Sequence, residues 1–116
     1  MEIINVLKAL SDETRIRILN LLRIMPLCVC EIEDILGISQ SNASRHLLKL
    51  RNAKLIKSDK QMQWVYHSIS EGILTKHQFL QTLLNEVAKH EIGILDVVKL
   101  KKYKEQGGGC EHKITI

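Results

Sequence analysis

The sequence predicts a mainly α fold with a small β wing, in the order ααααββα, the arrangement of a dimeric winged helix-turn-helix. Three observations carry this. An apolar-periodic segment stops at Gly37 and a second one begins at once at Ser39. Residues 64–69 then change to a period of two, and apolar residues at helical spacing return after Ser70.

Taken in order, Ile3, Val6, Leu7 and Leu10 fall on one face of a first helix over residues 1–10. Its other side is too sparse in charge to be simply solvated, so a partner is expected to cover it. Ser11 and Asp12 offer N-cap oxygens to a second helix, where Ile16, Leu19, Leu22 and Arg23 keep helical spacing up to Ile24 and Pro26 closes the segment. Arg15 and Arg17 are expected on its solvated face. In the third helix Ile32, Ile35 and Leu36 lie on one side, and Gly37 supplies a positive-φ stop. Ser39 caps the fourth. There Ala43, Leu47, Leu48 and Leu50 form the apolar stripe, while Gln40, Ser41, Asn42, Ser44, Arg45, Lys49 and Arg51 crowd the remaining surface.

Residues 53–58 and 62–69 read as two strands joined by a polar turn at 59–61, with Trp64, Tyr66 and Ser68 alternating against Val65, His67 and Ile69. This is the wing. Beyond it Ile73, Leu80, Leu83, Leu84 and Val87 form a helical stripe that continues through Ile94, Leu95 and Val98, with Gly93 bending or ending it. A homodimer interface is expected from the first and last helices, through Ile3, Val6, Leu7, Leu80, Leu84 and Val87. Residues 1–105 form the DNA-binding and dimerisation domain in this reading, and 106–116 a flexible glycine-rich tail bearing Cys110 and His112.

At 116 residues the chain fits one domain with a modest core, which a dimer would enlarge. A net charge of +4 and a pI near 9.1 favour an anionic partner, although a mild lysine excess also keeps proteins soluble. No stretch approaches the roughly 18 apolar residues of a membrane span, and no secretory signal opens the chain, so a cytoplasmic location with no membrane partner is expected. Three cysteines in a reducing compartment point to a metal site or redox pair rather than a structural disulfide. No thioredoxin-like βαβ pattern surrounds them, so neither enzyme activity nor a small-molecule substrate is expected.

In helix-turn-helix proteins the second helix lies in the major groove with its N-terminal residues at base edges. Gln40, Ser41, Asn42, Ser44 and Arg45 occupy that half. Gln and Asn pair with an adenine edge and Arg with a guanine edge, so the set suits double-stranded operator DNA; a solvated polar face is the plainer alternative. Lys49, Lys57 and Lys60, with Arg51 and Lys54, make a basic run broken only by Asp59 and suited to phosphates. His46 is either part of this surface or a packed core residue.

Cys28 and Cys30 are one residue apart, about 200° around a regular helix. They converge only if the helix begins between them. Unpaired N–H groups at a helix start favour the thiolate, the form that binds soft metals and undergoes oxidation. Two buried apolar thiols remain the alternative.

SQSNASRHLLKLRNAKLI, running into WVYHSI, resembles the DNA-binding core of the ArsR/SmtB family of metal-responsive repressors, and the match extends back through ALSDETRIRILNLL to cover residues 2–90. The resemblance implies a dimeric winged helix that blocks transcription until an inducer binds, with His46 inside the SRHL motif. LCVCE resembles the arsenic- and cadmium-sensing branches, most of all the arsenical-resistance operon repressors, in which this pair supplies two inducer ligands. As(III) or Sb(III) is the implied inducer, with Cd(II), Pb(II) or Zn(II), or thiol oxidation, as alternatives. The sequence departs from these relatives at Glu33, where arsenical repressors carry a third cysteine, and it has no counterpart of the N-terminal thiols of cadmium sensors. Cys110 is then the candidate third thiolate, and His112 would complete an S₃N set for zinc or cadmium. His77 and His90 resemble the zinc-sensing branch, but Thr75 and Gly93 stand where its ligands belong. Inducer that draws Cys28 and Cys30 together is expected to distort the helix that positions the reader, and so to weaken DNA binding.

Overall fold

The computed structural model describes residues 1–109. Asp12 caps the second helix by accepting from the Arg15 backbone N–H at 3.1 Å, which separates α1 (Glu2–Leu10) from α2 (Glu13–Leu22). A two-residue strand β1 (Leu27–Cys28) leads directly into α3 (Val29–Leu36), and Gly37, at φ +68°, ends it. Ser39 then caps α4 (Gln40–Asn52), its Oγ accepting from the Asn42 N–H at 3.2 Å. The wing follows as β2 (Ile56–Gln61) and β3 (Trp64–Ile69), and the chain closes with α5 (Ile73–Lys76), α6 (Gln78–Lys89) and α7 (Glu91–Glu105). Among the described residues no helix is long and apolar enough to cross a membrane.

The sheet is antiparallel in the order β1-β3-β2, pairing Leu27 with His67, Cys28 with Tyr66 and Ile56 with Ile69. Sequence periodicity misses β1, because two residues are too few to show alternation. It also misplaces the hairpin turn, which falls at Met62 and Gln63 rather than at 59–61. The outer half of β2 projects into solvent with Asp59, Lys60 and Gln61 all exposed, so no buried face imposes alternation there. Met62 takes the left-handed conformation, φ +59°, that the tight turn requires.

Ile18, Leu21, Ile32, Leu47, Leu50, Leu80 and Leu100 bring α2, α3, α4, α6 and α7 into one core. Val6, Leu80 and Leu84, expected at a dimer interface, are buried in this core within a single chain. Leu7, also expected there, is exposed, as are Ile4, Phe79, Ile94, Leu95 and Val98 on the flanking helices; Ile3 and Val87 are half-buried. Leu48, assigned to the stripe of α4, is exposed.

Arg15 and Arg17 do not lie on a solvated face. Arg15 is buried, its Nε donating to the Ala9 carbonyl at 2.6 Å, and Arg17 grips the buried carboxylate of Asp96 through contacts of 2.7 and 2.9 Å. A bidentate guanidinium pair of this kind ties α2 to α7.

The segment after Ser70 is three helices, not one. The break between α6 and α7 is at His90, whose ring Nδ1 accepts from the Ile92 N–H at 3.3 Å. Gly93 lies inside α7 and permits close approach: a Cβ there would stand 2.0 Å from the Val87 carbonyl oxygen, and its own carbonyl accepts from Asn20 at 3.1 Å. Gly93→Ala is therefore expected to force α6 and α7 apart and to cost about 1–3 kcal/mol, the range for overpacking a tight core. Urea unfolding measures this, and an unchanged midpoint would show that the two helices separate freely.

Candidate nucleic-acid interface and thiol site

The turn Gly37–Ser39 aims the N-terminal half of α4 outward. Gln40, Ser41, Ser44 and Arg45 are exposed there, and half-buried Asn42 is braced by Arg45, whose Nη2 donates to its Oδ1 at 2.5 Å. Ala43, Leu47 and Leu50 hold the opposite side in the core. Lys49 is exposed one turn beyond Arg45. On the wing Lys60 is exposed, whereas Lys57 is half-buried beside Glu71 at 3.1 Å and Asp59 at 4.0 Å. Such surface pairs are worth little, so Lys57 remains able to exchange Glu71 for a phosphate.

Of the two readings of His46, the structure has the packed residue. It is 7% exposed, with Nδ1 3.2 Å from an Arg15 guanidinium nitrogen and 3.9 Å from Asp12. Burial is the largest cause that holds its imidazole below the ordinary pKa; Asp12 opposes the shift and the neighbouring arginines reinforce it. A neutral ring then accepts from Arg15, so His46 joins the reader helix to α2. His67 plays a matching part at the wing. Its Nδ1 lies 2.8 Å from Ser58 Oγ, which accepts from Arg51 of α4 at 3.2 Å, and burial, with Arg51 adding to it, lowers its pKa also.

The cysteine pair occupies the start of α3, where Cys28 is disulfide-bonded, a bond that the sequence reading did not expect. Cys28 is the N-cap residue and the helix begins at Val29, between the two cysteines, as their spacing requires. Cys28 is buried and Cys30 half-buried. Glu31 Oε1 accepts from the Cys28 backbone N–H at 3.0 Å, one arm of a capping box. Its other oxygen pairs with Lys104 near the end of α7. One turn along, the Tyr103 hydroxyl donates to Asp34 at 2.9 Å, and burial followed by that carboxylate raises the phenol above its ordinary pKa.

Of the glycine-rich tail the structure describes residues up to Gly109: Gly107 has φ +78°, and a Cβ on Gly108 would lie 2.6 Å from the Tyr103 ring. A Cβ on Gly109 would lie 3.7 Å from Glu31 Oε2, so the turn returns the chain to the thiol helix. Cys110 and His112 lie outside the described residues. Among those described, no group of three or more His, Cys, Asp and Glu is placed to hold a metal ion. His77 and His90 are not part of one: His77 sits 3.5 Å from Glu2 and His90 caps α7.

Sequence reasoning missed Glu31, Asp34, Tyr103 and Lys104. For Glu31 a signal existed, since a glutamate three residues after an N-cap position is capping-box spacing. Nothing local in the sequence joins Lys104 to it.

Comparison with known proteins agrees with this geometry. Residues 12–58 match the family described as bacterial regulatory protein, arsR family. The arsenic resistance transcriptional regulator ArsR2 of Pseudomonas putida is 40% identical over 82 residues, which cover 69% of this chain and 71% of that one. A cadmium resistance transcriptional regulatory protein CadC homolog of Staphylococcus aureus is 39% identical over 72 residues, 61% of this chain and 60% of that one. The homodimeric winged helix-turn-helix DNA-binding domain of Mb0332 from Mycobacterium bovis, a possible ArsR-family transcriptional regulator, matches at a TM-score of 0.64 and 25% identity, over 78% of this chain and 85% of that one. With a capped reader helix, an antiparallel wing and a matching sequence core, the chain belongs to the arsR family of bacterial regulatory proteins, which are transcription regulators.

Proposed function

We propose that the protein is a dimeric repressor that occupies operator DNA and releases it when arsenite or antimonite is taken up by cysteine thiolates. One observation carries the reading: α3 begins between Cys28 and Cys30, and the same helix runs at its other end into the Gly37 turn that aims the reader. Inducer that pulls the two sulfurs together acts on the element that holds α4 in place.

Trivalent arsenic and antimony suit three soft thiolates. Cys110 is the third in this reading. In support, Gly109, the residue before it, lies beside Glu31 of the helix that carries the pair. Cadmium is the second reading, supported by the similarity to the cadmium-resistance regulator, and His112 would then supply a nitrogen donor. Zinc and lead have no further support, whereas thiol oxidation is supported by the disulfide-bonded state of Cys28.

Dimerisation is proposed through the apolar residues that the single chain leaves exposed, Leu7 at 47% and Leu95 at 50% among them, with Ile4, Ile94 and Val98. The homodimeric Mycobacterium bovis domain supports it. Two readers would then face successive major grooves.

Arg45→Ala is expected to lose about 1–3 kcal/mol of preference for operator over random duplex, whereas Lys60→Ala weakens both equally and flattens the salt dependence. Competition binding decides between them, and an unchanged specific-to-random ratio in Arg45→Ala would remove it as a base reader. Leu95→Glu is expected to sediment as a folded monomer at micromolar concentration; an intact dimer would move the interface elsewhere.

Cys28→Ser and Cys30→Ser are each expected to keep operator binding and to lose release by arsenite, erasing a coupling of roughly 5- to 150-fold. X-ray absorption at the arsenic edge should find three sulfur neighbours in the wild type and two in Cys110→Ser. Normal release by either serine variant would place the sensor outside α3, and an unchanged sulfur count would take Cys110 out of the site.

A further inference from the structure

A cleft of about 390 Å³ lies between α1 and α4, lined by Asn5, Lys8, Arg15, Lys49 and Asn52 together with two alanines. No described acidic residue lines it, the Asp12 carboxylate standing behind Arg15 at 3.9 Å. Among the described residues neither Lys8 nor Lys49 has an acidic partner, whereas Lys57, Lys76 and Lys104 each have one. The nearest acid toward the N-terminus, Glu2, is held by Lys76 at 2.8 Å.

The floor is prepared for negative charge as well. The C-terminal end of α1 would present carbonyl oxygens and the negative end of its dipole. Arg15 covers it, donating to Ala9 O at 2.6 Å and Lys8 O at 3.3 Å. Two lysines and two amide side chains therefore surround a cavity whose own backbone no longer repels an anion. Of the residues that line it only Ala9 and Ala53 are apolar, and none is aromatic. Its outer wall is the reader helix itself, with Lys49 one turn beyond Arg45.

We infer that the α1–α4 cleft seats a phosphate of the bound duplex, so that the DNA contact extends from the reader helix onto Lys8 of the first helix. The inference rests on the DNA-binding reading above. Lys8 positions the backbone and carries no base preference, because a phosphate presents the same oxygens at every sequence.

The test is duplex binding by the full chain at several salt concentrations, with operator and random DNA, for wild type, Lys8→Gln and Lys8→Arg. Among the described residues the Lys8 side chain makes no hydrogen bond or ion pair, only its backbone carbonyl being used, so these variants are expected to keep the fold. Each phosphate contact adds about 0.9 to the slope of log affinity against log salt. Lys8→Gln is expected to lower that slope by about 0.9 per protomer for both duplexes, leaving the specific-to-random ratio intact, and Lys8→Arg to restore it. An unchanged slope in Lys8→Gln overturns the inference while leaving the DNA-binding reading standing. Inorganic phosphate that raises the melting temperature of wild type but not of Lys8→Gln, with duplex slopes equal, also overturns it in favour of a small-anion pocket. A wild type that shows no salt-dependent duplex binding sinks both.

Discussion

The carboxylate of Glu31 is 1% exposed, and a buried charge left without partners costs several kcal/mol. Both oxygens are engaged, one by the N–H of Cys28 and the other by the ammonium of Lys104 across 73 positions of sequence. The start of α3, the short strand β1 and the end of α7 are thereby held at a single group. Tyr103 on Asp34 and Gly108 on the Tyr103 ring close the same corner. Arg17 on Asp96 repeats the device midway along α7, where a guanidinium rather than an ammonium meets a buried carboxylate. The last helix is thus fixed to the winged helix by two charge pairs as well as by Leu100 in the core.

This corner lies at one end of a continuous set of contacts to the reader. Leu27 and Cys28 pair with His67 and Tyr66 in the sheet, His67 meets Ser58, and Ser58 accepts from Arg51 in the last turn of α4. The reader is therefore held at both ends by elements that touch the thiol pair: the Gly37 turn at its start and the Arg51 contact at its finish. His46 and Arg15 hold its middle against α2. A ligand that shifts Cys28 by a fraction of an ångström has two mechanical routes to α4, and tightly packed elements pass on such shifts rather than absorb them.

Features legible in the sequence are those fixed within a few residues. Asp12 and Ser39 as caps, Gly37 as a stop, the alternation of residues 64–69 and the helix start between Cys28 and Cys30 are all local, and each stands where its neighbours dictate. Long-range pairing was not legible. Arg15 and Arg17 carry the same charge as any solvated arginine, and only the positions of Ala9, His46 and Asp96 bury them. Val6, Leu80 and Leu84 show the same periodicity whether they face a partner or their own core, so the pattern could not separate the two. In the candidate site the thiols were readable and their supports were not: Glu31 acquires its role only when Lys104 arrives from the other end of the chain.

That separation has a consequence for how the protein is made. Glu31 is synthesised 73 positions ahead of Lys104, roughly 4–15 s at ordinary elongation rates. For that interval Glu31 has no Lys104 to pair with. α4 and the wing are synthesised before the residue that completes the support of the cysteine segment, so translation delivers the helix-turn-helix first and the ion pair that braces the start of α3 last.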